Sequence, residues 1–179
     1  MKSLARYIQE KLVIKKNKTT SYKYFPETKK ELKDIISQRI KDEGNEVDLN
    51  DIDTSKITDM SSLFDGTNFN GDISQWDVSN VKNMSYMFAV CRQFNKDLSN
   101  WDVSNVTLMP YMFYKCESFD QDISNWDVSN VTNMACMFAH CASFNQDISS
   151  WDVSKVTDTK YIFSYCLLEE KHKPKFKKA

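Results

Sequence analysis

The string FNKDLSNWDVSNVTLMPYMFYKC at 94–116 returns almost unchanged 25 residues later as FDQDISNWDVSNVTNMACMFAHC at 119–141. No other feature constrains the fold so strongly. The same period runs through Trp76, Trp101, Trp126 and Trp151, through Phe69, Phe94, Phe119 and Phe144, through Phe88, Phe113, Phe138 and Phe163, and through Cys91, Cys116, Cys141 and Cys166. A fixed period of this length marks stacked units, each burying its apolar face against its neighbours. The pattern starts before the first Trp. Asp48, Leu49, Ile52, Asp53, Ile57, Met60 and Phe64 match it with an offset of 24, and Gly66 permits a tighter turn where one residue is missing before Phe69. Five windings follow, over residues 47–166.

A single winding buries about six large side chains at roughly 2 kcal/mol each. Its backbone loses roughly 1 to 2 kcal/mol of entropy per residue. It cannot fold alone, so order should extend over several windings at once. Within a winding, Val131, Met134, Phe138 and Cys141 are spaced 3, 4 and 3, with Met137 beside them, which predicts a short helix with an inward stripe. Pro110, in the slot of Ser85 and Ala135, then belongs to the first helical turn. Asp122-Ile123-Ser124 predicts a strand that pairs in parallel with its equivalents at about 4.8 Å, with Ile123 inward. Trp126-Asp127-Val128-Ser129 predicts a turn.

The flanks are different in kind. Residues 1–46 carry 12 basic against 7 acidic side chains, residues 47–166 carry 7 against 16, and residues 167–179 carry 5 against 2. An acidic repeat region thus lies between two basic ends. In 1–14, Leu4, Tyr7, Ile8 and Leu12 share one face of an amphipathic helix fit to dock on something. Residues 15–25 read as a polar linker. Thr28-x-x-Glu31 opens a second helix in 26–46, with Leu32, Ile35, Ile36 and Ile40 on one face and Gly44 at its end, which predicts a cap on the open end of the stack. A Lys-rich tail occupies 167–179.

Arg6, Glu10 and Lys11 interrupt any apolar segment a secretion leader would need, and no apolar run reaches the roughly 18 residues of a membrane helix. The expected location is therefore cytoplasmic or virion-associated rather than secreted. Five Cys, an odd number in such a chain, point to reduced thiols.

The string F-N-x-D-[IL]-S-x-W-D-V-S-x-V-x-x-M-x-x-M-F-x-x-C, covering residues 48–166 with Thr159 in place of the Met in the last winding, resembles the repeat of the bacterial BspA-like leucine-rich-repeat surface proteins. The resemblance implies a leucine-rich-repeat-like stack that binds other macromolecules, commonly at a cell surface. The expected fold is thus α/β: a right-handed leucine-rich-repeat-like β/α solenoid of about five coils with an α-helical N-terminal cap. Much more weakly, MKSLARYIQEKL resembles the amphipathic targeting peptides of internal head proteins of large tailed bacteriophages.

Two acid columns, Asp72, Asp97, Asp122, Asp147 and Asp77, Asp102, Asp127, Asp152, should stack one above another. Like charges that close repel by on the order of 1 to 3 kcal/mol, so hydrogen bonds to turn N–H groups must offset the repulsion. Calcium between the windings is disfavoured, because the glycine-rich turns of calcium-binding β-solenoids are missing. The Trp and Phe columns read as core ladders rather than as a sugar platform. The Cys column reads as buried thiols rather than a metal site, for there is no Cys-x-x-Cys and His140 is the sole histidine of the repeats. No nucleophile elbow, phosphate loop or histidine pair points to catalysis, no cofactor is expected, and no motif calls for specific nucleic acid.

Partner specificity should then lie where windings differ: Val90, Arg92, Tyr114, Lys115, Glu117 and His140. The expected function is a non-enzymatic protein-protein interaction module. A structural or packaged bacteriophage virion protein, docked through its N-terminal helix, is the alternative.

Overall fold

A computed structural model describes residues 21–176. The docking stripe of Leu4, Tyr7, Ile8 and Leu12 lies outside them. The first regular element is helix α1, Lys29–Glu43. Thr28 caps it by accepting the Glu31 N–H on Oγ1, while the Glu31 carboxylate reaches back to the Glu27 N–H at 2.8 Å. At the far end the Gly44 N–H closes on the Ile40 carbonyl. Leu32, Ile35 and Ile36 are buried in the same core as the repeats. Beside the helix, Tyr24 forms a parallel bridge with Ile52, and Arg39 reaches Asp51 at 2.9 Å with its guanidinium over the Tyr24 ring.

The repeats do stack in register. Phe88, Phe113 and Phe138 follow one another with centroids 5.6 Å apart, and Phe94, Phe119 and Phe144 form a parallel file at 6.1 and 5.8 Å. The two files interleave, Phe113 lying 4.2 Å from Phe119. Trp101, Trp126 and Trp151 make a third file at 6.5 and 6.4 Å with nearly parallel planes. These rings are almost wholly buried, so the windings share one continuous core.

The local structure of a winding is not the expected one. Among the described residues there is one α-helix, a single 3-10 turn at Glu170–His172 and no strand. The chain is therefore not an α/β fold of helices and a parallel sheet, and the leucine-rich-repeat-like β/α solenoid is overturned. Pairing between windings is confined to isolated parallel bridges linking Asp59, Asn83, Leu108, Asn133 and Asp158 in succession.

The reason lies in where the backbone N–H groups go. In the third winding Met109, Tyr111, Phe113 and Lys115 donate out of the winding, to the carbonyls of Asn133, Ala135, Met137 and Ala139 at 2.9 to 3.0 Å. The intervening Met112, Tyr114 and Cys116 donate backward within it, to Met109, Tyr111 and Phe113. A helix would send every one of these N–H groups four residues back along its own chain. Alternation is made possible by Tyr111 and Lys115, which sit at φ 58° and 57° in the left-handed region. The same two slots are left-handed in all five windings: Ser62 and Gly66, Tyr86 and Val90, Tyr111 and Lys115, Cys136 and His140, Tyr161 and Tyr165. Consecutive three-residue turns bury the 3-4-3 apolar spacing as a helix would, so Val131, Met134, Met137, Phe138 and Cys141 are inside without being helical.

Nor is Asp122-Ile123-Ser124 a strand. Its Asp122 carboxylate accepts the Ser124 N–H at 2.9 Å and the Trp126 N–H turns back to the Ile123 carbonyl. The segment is curled by its own side chain, as Asp and Ser favour. Ile123 still faces the core.

Gly66 occupies a left-handed slot shared by every winding, so it does not mark the deletion. Thr67 stands in the Cys file, 3.5 Å from Cys91, and the shortened winding closes after it. Pro110 follows a related logic. The N–H in its slot is bonded to Asn83 Oδ1 at Ser85 and to Asn133 Oδ1 at Ala135. Where Leu108 supplies no acceptor, Pro110 supplies no donor.

Candidate functional site

Two faces of the stack carry different information. One is built from Asp-x-Ser turns that recur with little change. Asp72, Asp97, Asp122 and Asp147 each accept the N–H two residues on, as do Asp77, Asp102, Asp127 and Asp152. Hydrogen bonds from Ser124, from Ser129 and from Ser149 hold the Asp122, Asp127 and Asp147 carboxyls below the usual range. Asn80, Asn105 and Asn130 tie neighbouring windings by donating to the carbonyls of Ser55, Ser79 and Ser104. The Asp carboxylates there are engaged within their own turns, and these Asn amides join one winding to the next.

Sulfur is occupied too. The Cys116 and Cys141 thiols donate to the Phe88 and Phe113 carbonyls at 2.9 and 2.8 Å. Burial raises both thiols, and it pushes the Cys91 thiol up to about 11. A thiol held protonated in this way is neither a nucleophile nor a ready metal ligand. Among the described residues no group of three or more His, Cys, Asp or Glu is placed to hold a metal ion.

The opposite character belongs to the face formed by the left-handed slots. Five of these left-handed positions carry rings, Tyr86, Tyr111, His140, Tyr161 and Tyr165. Tyr86 and Tyr111 stack with centroids 4.6 Å apart and planes 5° from parallel. Tyr111 meets Tyr114 edge-on at 5.6 Å, Tyr114 meets His140 at 5.8 Å, and His140 stacks on Tyr165 at 4.7 Å. Lys115 lies over the Tyr114 ring and Lys160 over the Tyr161 ring, at 5.1 and 5.2 Å. Tyr86, Leu108, Tyr161 and Tyr165 are exposed, Tyr165 to 79%. The result is a run of five rings in contact, Tyr86, Tyr111, Tyr114, His140 and Tyr165, with Tyr161 exposed beside it and lysines over two of the tyrosine rings.

Of the residues singled out for their variation, Val90, Lys115 and His140 fall in one left-handed column, and Tyr114 touches two of them through its ring. Arg92 and Glu117 lie in the next turn and form an exposed ion pair with each other. Tyr86, Tyr111, Tyr161 and Tyr165, the larger part of the aromatic surface, do not follow from a helical reading. The signal that could have found them is the recurrence of Tyr at 86, 111 and 161 on the 25-residue period, each followed four residues on by a side chain that varies, at 90, 115 and 165.

One winding interrupts the tyrosine column. Cys136 stands where its siblings carry Tyr86, Tyr111 and Tyr161, and a cavity of about 350 Å³ opens there, lined by Tyr86, Pro110, Tyr111, Cys136, Lys160 and Tyr161 among others. Cys136 itself is 8% exposed, its thiol turned toward the Lys160 carbonyl at 3.6 Å. Hydrogen bonding to Cys136, followed by the charge of its thiolate and by burial, pushes the Tyr111 hydroxyl up to about 12.

The repeat is shared beyond this chain. A family model described as "Mycoplasma protein of unknown function, DUF285" matches residues 30–127 and again 101–173. The chain belongs to this family. The DUF285 match takes in most of α1, all five windings and the tyrosine face, whereas residues 1–29 lie before it. No curated protein and no solved structure matches the chain. In this DUF285 chain no helix among the described residues is long and apolar enough to cross a membrane.

Proposed function

We propose that this chain is a non-enzymatic module that binds another protein through the tyrosine face. The observation that carries the reading is the run Tyr86, Tyr111, Tyr114, His140 and Tyr165, held ring on ring at 4.6 to 5.8 Å on a rigid stack. Tyrosine supplies a large amphipathic contact at low entropic cost, and aromatic residues dominate the energetics of protein interfaces. Ordering costs little here, because the rings already brace one another. The thiols and carboxylates that might do chemistry are committed to hydrogen bonds within the fold. The resemblance of the repeat string to that of the BspA-like surface proteins, which implies binding of other macromolecules, supports the same class of function.

The test is selection of binding peptides from a randomised display library, followed by substitution on each face. Replacing Tyr86, Tyr114 and Tyr165 together with Ala should weaken the selected peptides at least tenfold, with Tm little changed. Asp97→Asn with Asp122→Asn, on the opposite face, should leave affinity unaltered. Peptides indifferent to the triple substitution would overturn the reading.

A further inference from the structure

We propose that the gap at Cys136 is a slot for one planar aromatic side chain of a protein partner, received between the rings of Tyr111 and Tyr161. The inference rests on the tyrosine face being the docking surface and says what that surface selects. Its basis is a comparison the molecule makes with itself. Neighbouring windings place a tyrosine in this slot and the rings stack, Tyr86 on Tyr111 at 4.6 Å. Tyr111 and Tyr161 are two windings apart, so their slots are separated by about 9.6 Å at the usual spacing of paired backbones. A ring held at the Cys136 position would lie one winding from each of these tyrosines, as Tyr86 lies one winding from Tyr111. The missing element has the shape of the ring that its siblings supply.

The surroundings fit that occupant. Cys136 closes the floor with a small, polarizable group, its thiol already turned toward the Lys160 carbonyl. Pro110 and Ala135 add apolar wall, and both lack a free backbone N–H, Pro110 by nature and Ala135 through its bond to Asn133 Oδ1. Asn133, 3.4 Å from Asp158, and Lys160, over the Tyr161 ring, line the same cavity, so ring faces and polar groups share its wall. An aromatic anchor can use both parts of such a wall, its faces against rings and its edge against polar groups. An aliphatic side chain would fill the volume without matching two flat walls.

The probe is p-cresol, the tyrosine side chain alone, titrated into the intact protein and followed by backbone amide shifts, with cyclohexanol as the non-planar control. The expected result is saturable millimolar binding of p-cresol that shifts Cys136, Lys160 and their neighbours, at least fivefold weaker binding of cyclohexanol, and loss of both in Cys136→Tyr. That variant should keep or raise Tm, because its new ring stacks as Tyr86 and Tyr111 do. Absence of these shifts in the wild type, equal binding of cyclohexanol, or p-cresol binding that survives Cys136→Tyr would each overturn the slot. If display-selected peptides still depend on Tyr86, Tyr114 and Tyr165 in that event, the docking face stands and only the slot falls.

Discussion

The Asp-x-Ser face and the tyrosine face are made by the same 25 residues, yet they treat repetition in opposite ways. On the first, each winding repeats the last because its Asp side chains close their own turns while others bond across to the neighbouring winding: an Asn to a carbonyl below, a Trp indole to Leu98 or Ile123. A change in one winding would orphan a group in another. On the second face, the regular inter-winding bonds are made by the backbone, through N–H groups and carbonyls that every residue possesses, and side-chain bonds such as that from Cys136 to the Lys160 carbonyl are local additions. Side chains there are free to differ, and Tyr111, Cys136 and Tyr161 do. Function can vary on a surface only when the fold does not depend on what that surface displays.

The contrast can be broken most forcefully in the interior of the first face. Trp126→Ala removes a ring stacked on both sides together with the indole hydrogen bond to the Leu98 carbonyl. It should cost about 3 to 5 kcal/mol, read from urea unfolding, whereas Tyr165→Ala on the second face should cost less than about 0.5 kcal/mol. Similar losses would erase the distinction.

A subtler test concerns Leu108 and Pro110. Pro110→Ser alone creates an N–H with no acceptor, while Leu108→Asn with Pro110→Ser rebuilds the bond that Asn83 makes to Ser85. A double-mutant cycle should return a favourable coupling of about 1 kcal/mol; additive effects would show that the turn bond is dispensable.

Left-handed slots should tolerate, and in places prefer, glycine. Val90 is β-branched at φ 59°, a conformation costly for such a residue. Val90→Gly should therefore stabilise the protein by about 1 kcal/mol, seen as a higher urea midpoint, and destabilisation would mean that the Val90 side chain matters more than its backbone.

The smallest effect is acid sensitivity. Asp122, Asp127 and Asp147 have folded carboxyl pKa values held below the ordinary one near 3.9. A depressed folded pKa gives stability that is complete above the unfolded value and lost as pH falls through the folded one. Stability should hold down to about pH 5 and decline below about pH 4. Asp122→Asn keeps an acceptor oxygen for the Ser124 N–H and should shallow that decline slightly, while leaving stability at pH 7 little changed.

Much of this was legible in the residues. The period, the five windings, the buried Phe, Trp and Cys files and the capped helix opening at Thr28 all follow from spacing, because identical units related by a fixed offset must bury identical side chains. The conformation inside a winding was not. Val131, Met134, Phe138 and Cys141 satisfy a helix and a chain of tight turns equally, since both bring every third or fourth side chain to one face. The tyrosine column was hidden for the same cause, as a helical reading sends Tyr86 and Tyr111 to an undistinguished flank.

The sequence by itself therefore determined that copies of one unit lie over one another and which side chains lie between them. Only the tertiary structure decided that there is neither a helix nor a strand within the unit. Whether an N–H bonds along its own chain or across to the next winding depends on a neighbour that must already be in place. Once that neighbour supplies four carbonyls in register, alternate residues are better satisfied across the stack than along it, and the left-handed tyrosines that result are turned outward.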